Sequence, residues 1–379
     1  MQSRLPLAAT LVLASYVAVA LYVAPALAAA YITQYRFQIN QPNYVIAAEM
    51  AGMGLASFPA LWWIGRLNWS RLARIMLICI ALGNAVSMFA ATPLTLGGAR
   101  FLTGLAQGTV SVICMSSIRV LPNPNRNFGL WLFGQLLVGS LALASLPTLL
   151  NLGGPAAFFA VLAALALILI WPAGALLPGV RAAASVAAKS GRDSAITWIG
   201  LSGLAAILCF YLAFSSVWPL TGQIAHALGF APERANYALS FAPIGGMLGA
   251  ALAAGFGSRF GSVLPMAVGM SILAIAVWQI GGNPGFTSYA CAAIALMFAW
   301  TFVVPYLLGN ITAIDRGGQL TAAVNAIIGA GLATGPALSG FLLAHDASYA
   351  VAACLSAGLA TVSLLFALPM AQRARFYQR

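Results

Sequence analysis

Charge is what this chain has least of. Only 6% of its 379 residues are charged, and five in all are acidic. A soluble domain carries about 25% charged residues, so the composition excludes a water-facing globular surface. The two histidines, His226 and His345, stand apart in short polar breaks. The five cysteines, Cys79, Cys114, Cys209, Cys291 and Cys354, all fall in apolar runs and never as a CxxC pair. Neither a disulfide framework nor a metal site is expected. HExxH and GxxxxGKS spacings are absent, which excludes zinc-protease and P-loop chemistry. No run holds paired catalytic carboxylates or a Ser/His or Cys/His cluster, so an enzyme is not expected. Apolar residues do not alternate with period two, as the strands of a membrane β-barrel would require.

Long apolar runs are there instead, making up most of a sequence that is 62% hydrophobic. A helix needs about 20 apolar residues to cross a bilayer, and the runs give twelve such spans. They are 5–32, 43–65, 72–91, 94–118, 127–150, 155–177, 196–222, 234–256, 263–281, 286–313, 319–343 and 348–369. Arg4, the run after it and Ala26-Leu27-Ala28 imitate a cleaved secretory signal. That run exceeds the roughly 7–15 residues of a signal core, so it is read as the first span. The longest polar break divides the chain into halves at 1–178 and 196–379, joined by a linker at 179–195.

The net charge of +12 raises the question of nucleic acid, and the placement of the charges answers it. With the N-terminus inside, fourteen basic residues fall on the cytoplasmic face: Arg4, Arg66, Arg71, Arg74, Arg119, Arg126, Arg181, Lys189, Arg192, Arg259, Arg316, Arg373, Arg375 and Arg379. Only Arg36 and Arg234 face outward. This bias sets both termini inside a multi-pass inner membrane protein. Positive charge spread over many inner loops makes no nucleic-acid patch.

Arg100 is the one basic residue left inside a span. It begins Arg100-Phe101-Leu102-Thr103-Gly104-Leu105-Ala106-Gln107-Gly108, an Arg followed by Gly at four and eight residues. The inner loops Gly65-Arg66-Leu67-Asn68 and Ser258-Arg259-Phe260-Gly261 echo one another at the same point of each half. Span eleven carries Gly331-Leu332-Ala333-Thr334-Gly335-Pro336-Ala337-Leu338-Ser339-Gly340, whose small residues at four-residue spacing let helices approach closely.

Together these features resemble the major facilitator superfamily over the whole chain. The Arg100 segment looks like that family's fourth-helix motif, and the two loops look like degenerate copies of its Asp-Arg-x-Gly motif. Gly65 and Ser258 stand where the family has Asp, so the latch ascribed to that Asp is not carried over. The span-eleven run is similar to a Gly-Pro motif that proton-driven drug exporters of the family carry in span five, and is therefore displaced by one half. The resemblance implies an all-α membrane protein of twelve helices in two six-helix pseudo-repeat halves. It also implies alternating access about a midplane site.

Arg100, Gly104, Gln107 and Ser111 share one helical face. A guanidinium in hydrocarbon costs at least about 2.5–3.5 kcal/mol, so it marks a brace, a substrate contact or part of a proton relay. Its planar fork suits a carboxylate or phosphate. Glu49 is the one acidic residue well inside an apolar run, at about the depth of Arg100, roughly 9 Å below the outer edge. An ion pair between them is one reading, and a hydrated Glu49 at the outer rim is the other. Burial favours a neutral carboxyl and a neighbouring cation a charged one, so such a pair can act as a proton switch. Trp131 and Gln135 in span five, Tyr211 and Trp218 in span seven, Trp300, Tyr306 and Asn310 in span ten, and Asn325 in span eleven complete the candidate lining. Tyr16 and Tyr22 of span one stand beside them.

The expectation is a proton-coupled secondary transporter moving a small organic solute, with an organic monoanion favoured. Arg100 is then its counter-charge and Glu49 the proton carrier. The rival is an exporter of lipophilic or cationic compounds, with Glu49 on the cation and Arg100 structural. No cofactor beyond a coupling proton, no metal and no nucleic acid is expected. The partners are the small-molecule substrate and the lipid bilayer, and the unit is a monomer.

Overall fold

The structure is a computed structural model that describes residues 4–64, 66–90, 92–121, 124–176, 198–257, 259–314 and 319–378. The expected linker at 179–195 lies outside these residues, as do Gly65 and Ser258 of the loop motifs. All regular structure among the described residues is helical. The chain forms two compact units, Met1–Lys189 and Ser190–Arg379.

The first unit holds α1 (Arg4–Tyr35), α2 (Gln41–Leu55), α3 (Ser57–Trp63), α4 (Trp69–Phe89), α5 (Pro93–Val120) and α6 (Pro124–Ala173). The second holds α7 (Trp198–Val217), α8 (Leu220–Ala227), α9 (Pro232–Phe256), α10 (Val263–Gly281), α11 (Phe286–Ile314), α12 (Gln319–Ala344) and α13 (Tyr349–Gln378). Ten helices among the described residues are long and apolar enough to cross a membrane. Many large apolar side chains, among them Leu82, Phe89, Leu94 and Trp171, are exposed on their outer faces. Polar backbone is satisfied within each helix while apolar side chains point out, the arrangement that hydrocarbon requires of a multi-pass membrane protein.

Prolines and one glycine pair account for the interruptions. The apolar stretch Arg126–Ala173 is 48 residues long, or about 72 Å as one straight helix, more than twice a bilayer core. It folds at Gly153–Gly154, just before Pro155. Gly154 has φ 66°, ψ −161°, a conformation in which a β-carbon clashes with the backbone. The expected second span is cut between α2 and α3, where Pro59 has no N–H to return to the Leu55 carbonyl. Pro219 does the same to the Ser215 carbonyl between α7 and α8. The loop echo has a local cause as well. Asn68 caps α4, its side chain accepting from Arg71 N at 3.1 Å, and Gly261 supplies a left-handed turn at φ 66°.

In the first unit α2 packs along α5, α1 along α5 and α6, and α4 along α5 and α6. In the second, α9 packs along α11, α7 along α12 and α13, and α10 along α11 and α13. The two crossings α2–α5 and α9–α11 are the most extensive in their units. The span-eleven small residues act in packing. Gly331 lies against Tyr211 and Gly335 against the Ser215–Ser216 backbone. Ser215 donates to Gly331 O at 2.8 Å, and Ser339 to Ser216 O at 2.6 Å.

Candidate functional site

The start of α5 fixes where Arg100 sits. Thr92 and Thr95 form a reciprocal capping box, each side chain accepting from the other's backbone N–H at 3.2 Å, with Pro93 in the first turn. Arg100 therefore lies about two turns into the helix, on the face that carries Gly104 and Gly108. A β-carbon on Gly104 would meet the Glu49 carbonyl, one on Gly108 the Met53 carbonyl, and one on Gly52 the Phe101 carbonyl. The α2 and α5 backbones thus touch, and this contact sets Glu49 opposite Arg100.

The two side chains form a bidentate pair. Arg100 Nε donates to Glu49 Oε2 at 3.1 Å, and Arg100 Nη2 donates to Glu49 Oε1. Arg100 is 2% exposed and Glu49 6%. This excludes the hydrated-rim reading of Glu49 for this conformation. The remaining edge of the guanidinium is used too. Arg100 Nη1 donates to Asn84 Oδ1 on α4 at 2.8 Å, and the Phe159 ring of α6 lies 5.1 Å from Cζ. On α1, Tyr16 donates its hydroxyl to Leu162 O of α6 at 2.7 Å. One cation therefore ties α2, α4 and α6 to its own helix, α5. Removing one partner of such a buried pair costs about 3–5 kcal/mol, since the other charge is left uncompensated.

Sequence reasoning missed Asn84 and Phe159. Asn84 had a signal: it is the only side-chain amide in the otherwise apolar middle of α4. Phe159 had none, as one Phe among the 20 in the chain.

Gln107 is 3% exposed, and its Oε1 is buried without a hydrogen-bond partner among the described residues, as is Trp131 Nε1. Gln135, one turn beyond Trp131, donates to Ala14 O on α1 at 3.2 Å. In the second unit Tyr211, Trp218 and Trp300 meet around Phe214. Trp300 stacks on Phe214 at 4.7 Å, Phe214 on Trp218 at 6.1 Å, and Tyr211 stands edge-on to Trp300 at 6.4 Å. Tyr306 and Asn310 do not join that cluster. Tyr306 donates to Ala253 O of α9 at 3.4 Å, and Asn310 Nδ2 reaches Met266 Sδ of α10 at 3.8 Å. Asn325 falls on α12, and its side chain lies outside the described residues. No group of His, Cys, Asp and Glu that could hold a metal ion occurs among the described residues.

No protein-family profile and no curated protein sequence matches the chain. Solved structures do. The nucleoside transporter NupG superposes with a TM-score of 0.70 at 15% identity, covering 96% of this chain and 99% of that one. A D-xylose–proton symporter gives 0.66 at 15% identity, over 95% and 96%. The POT family transporter PepTSo gives 0.75 at 14% identity, over 98% and 98%. The chain has the fold of these transporters over essentially its full length. These neighbours are transporters, not enzymes.

Proposed function

We propose that this chain is a proton-coupled secondary active transporter that moves a small organic solute by alternating access. Twelve spans are assigned to it. The α6 stretch supplies two by folding at Gly153–Gly154, and α2 with α3 supplies one more. Six belong to each half, with the boundary in the linker at 179–195. The charge bias of the loops assigns both termini to the cytoplasmic face of the inner membrane.

A constant chain offset supports the pseudo-repeat. Gly52 against Phe101 in the first unit corresponds to Gly249 against Phe298 in the second. The same offset carries Gly104 against the Glu49 carbonyl onto Thr301, which donates to the Gly246 carbonyl at 2.7 Å. It carries Glu49 and Arg100 onto Gly246 and Met297. The two crossings share a geometry, and one of them carries the charges.

The buried bidentate Arg100–Glu49 pair is the observation on which the coupling role rests. A proton on Glu49 removes the charge that holds the Nε–Nη2 edge of Arg100. That edge then takes a carboxylate or phosphate monoanion in the same bidentate geometry. Proton and monoanion enter together without net charge, and both leave when Glu49 loses its proton. Gln107 Oε1 and Trp131 Nε1, buried without partners among the described residues, are assigned to polar contacts with the solute. Tyr211, Trp218 and Trp300 are assigned as an aromatic wall. Gln135, Tyr306 and Asn310 have protein partners and are assigned to hold their helices at the path, with Asn325 assigned by its position in span eleven. Two of the similar structures are a D-xylose–proton symporter and a POT family transporter, and the first name supports protons as coupling ion.

The Trp300–Phe214–Trp218 stack favours a second reading, export of lipophilic or cationic compounds, since aromatic faces attract cations. Flux of labelled organic monoanions into proteoliposomes, with and without an imposed pH gradient, tests the first reading. Accumulation driven by the gradient and lost in Glu49→Gln is expected. Uptake indifferent to the gradient overturns proton coupling.

A further inference from the structure

Asn84 is fully buried in the first unit, and both ends of its amide are spoken for. Its Oδ1 accepts from Arg100 Nη1 at 2.8 Å, and its Nδ2 donates to Ile80 O, one turn back on α4, at 2.9 Å. The amide has one possible orientation here, because a guanidinium only donates and a carbonyl only accepts. A carboxylate in the same place would satisfy Arg100 and leave the Ile80 carbonyl facing a second acceptor. A hydrophobic residue would leave Nη1 unpaired at a depth where unpaired polar groups are expensive. The residue type therefore matches a need for an acceptor that carries no charge.

The neutrality matters for the count of charges. With Glu49 ionised the cluster of Arg100, Glu49 and Asn84 sums to zero. With Glu49 protonated it sums to one positive charge, the carboxyl keeps only a neutral carbonyl acceptor, and two holds on the guanidinium are unaffected, the Asn84 oxygen and the Phe159 ring at 5.1 Å.

We propose that Asn84 is a positioning residue: it holds Arg100 in place while Glu49 is protonated, and by being uncharged it leaves the vacancy that an anion fills. This rests on the coupling role assigned above to the Arg100–Glu49 pair. Glu49→Gln represents the protonated carboxyl, with a neutral group of the same size and an uncompensated Arg100 beside it. In that background the new amide offers Arg100 one neutral acceptor in place of two charged ones, and Asn84 is the polar anchor that the substitution leaves intact.

The test is a thermal-unfolding cycle on the purified full chain in detergent, with formate as the anion probe. Glu49→Gln lowers Tm. Adding Asn84→Asp raises it again, because the new carboxylate supplies the missing charge, whereas Asn84→Asp alone lowers Tm by adding a second carboxylate against one cation. Adding Asn84→Ala to Glu49→Gln lowers Tm at least twice as far as Asn84→Ala lowers it in the wild type. Formate in place of chloride raises the Tm of Glu49→Gln and leaves Glu49→Gln/Asn84→Asp unmoved. The inference is overturned if Asn84→Asp lowers Tm in both backgrounds, as a merely structural amide would, or if formate protects both variants alike. The cycle uses no transported solute and no pH gradient, so it stands or falls separately from the flux measurement. A chain that fails in flux and passes the cycle loses the transport reading and keeps the anion vacancy.

Discussion

Gly104 lays its backbone directly against the main-chain carbonyl of Glu49, with no room between the two for a β-carbon. The contact works in both directions along the crossing, since Gly52 and Gly108 meet carbonyls of Phe101 and Met53 in the same way. An Arg with Gly at four and eight residues is thus a single device. The glycines bring α2 close enough for a short carboxylate to reach the guanidinium. Small residues at this spacing are how membrane helices pack when water supplies no driving force.

Gly104→Val is expected to force α2 away from α5, breaking the ion pair as well as the packing. The penalty is about 3–5 kcal/mol from the uncompensated pair, with the strain in addition. Gly98→Ala is the control, because Gly98 is on the same helix and a β-carbon there meets nothing within 4 Å. It should leave stability unchanged or raise it by about 0.5–1 kcal/mol. Unfolding of the two variants in detergent measures the contrast, and equal stability for both removes the packing argument.

Arg100→Lys keeps the charge and loses the fork. A Lys ammonium cannot donate in plane to both oxygens of Glu49 and to Asn84 at once. Affinity for a transported organic monoanion is expected to fall at least about tenfold, equivalent to roughly 1.4 kcal/mol. Equilibrium binding or the half-saturating concentration of uptake measures this. Unchanged affinity sinks the idea that Arg100 meets the anion and leaves it as a brace.

Glu49→Gln should separate coupling from translocation. The amide is as large as the carboxyl and cannot exchange a proton, so accumulation against a gradient is lost. Counterflow between equal solute concentrations on the two sides should persist, because it needs no net proton movement. Loss of both, with a monodisperse protein, would assign Glu49 to architecture alone.

Trp300→Leu decides between the two substrate classes. It removes the ring stacked on Phe214 at 4.7 Å while keeping an apolar side chain. If the protein exports lipophilic cations, protection of Tm by tetraphenylphosphonium should drop severalfold, as a cation over an aromatic face is worth about 0.5–2 kcal/mol. If it carries a monoanion, tetraphenylphosphonium protects neither form and the substitution acts through packing.

Much of the helical layout was legible because apolar runs report helix length directly. Spans nine and ten, 263–281 and 286–313, meet α10 and α11 almost residue for residue. The fine breaks were less so. Pro59 and Pro219 were visible as residues, but whether a proline interrupts a helix or is absorbed by it depends on what packs beside it. Pro25, Pro243, Pro305 and Pro336 all sit inside continuous helices.

At the site, depth counted along two helices placed Glu49 and Arg100 level with each other, which left an ion pair as one of two readings. Hydropathy and charge cost are additive along the chain, so composition and order alone determined a many-helix membrane protein with a charge inside it. The partners around that charge come from α2, α4 and α6, far apart in sequence, and their meeting depends on which backbones can touch. Only the tertiary structure decided that the second hydrogen-bond partner of Arg100 is Asn84, because a hydrogen bond is set by position to within a few tenths of an ångström, and a sequence carries no distances.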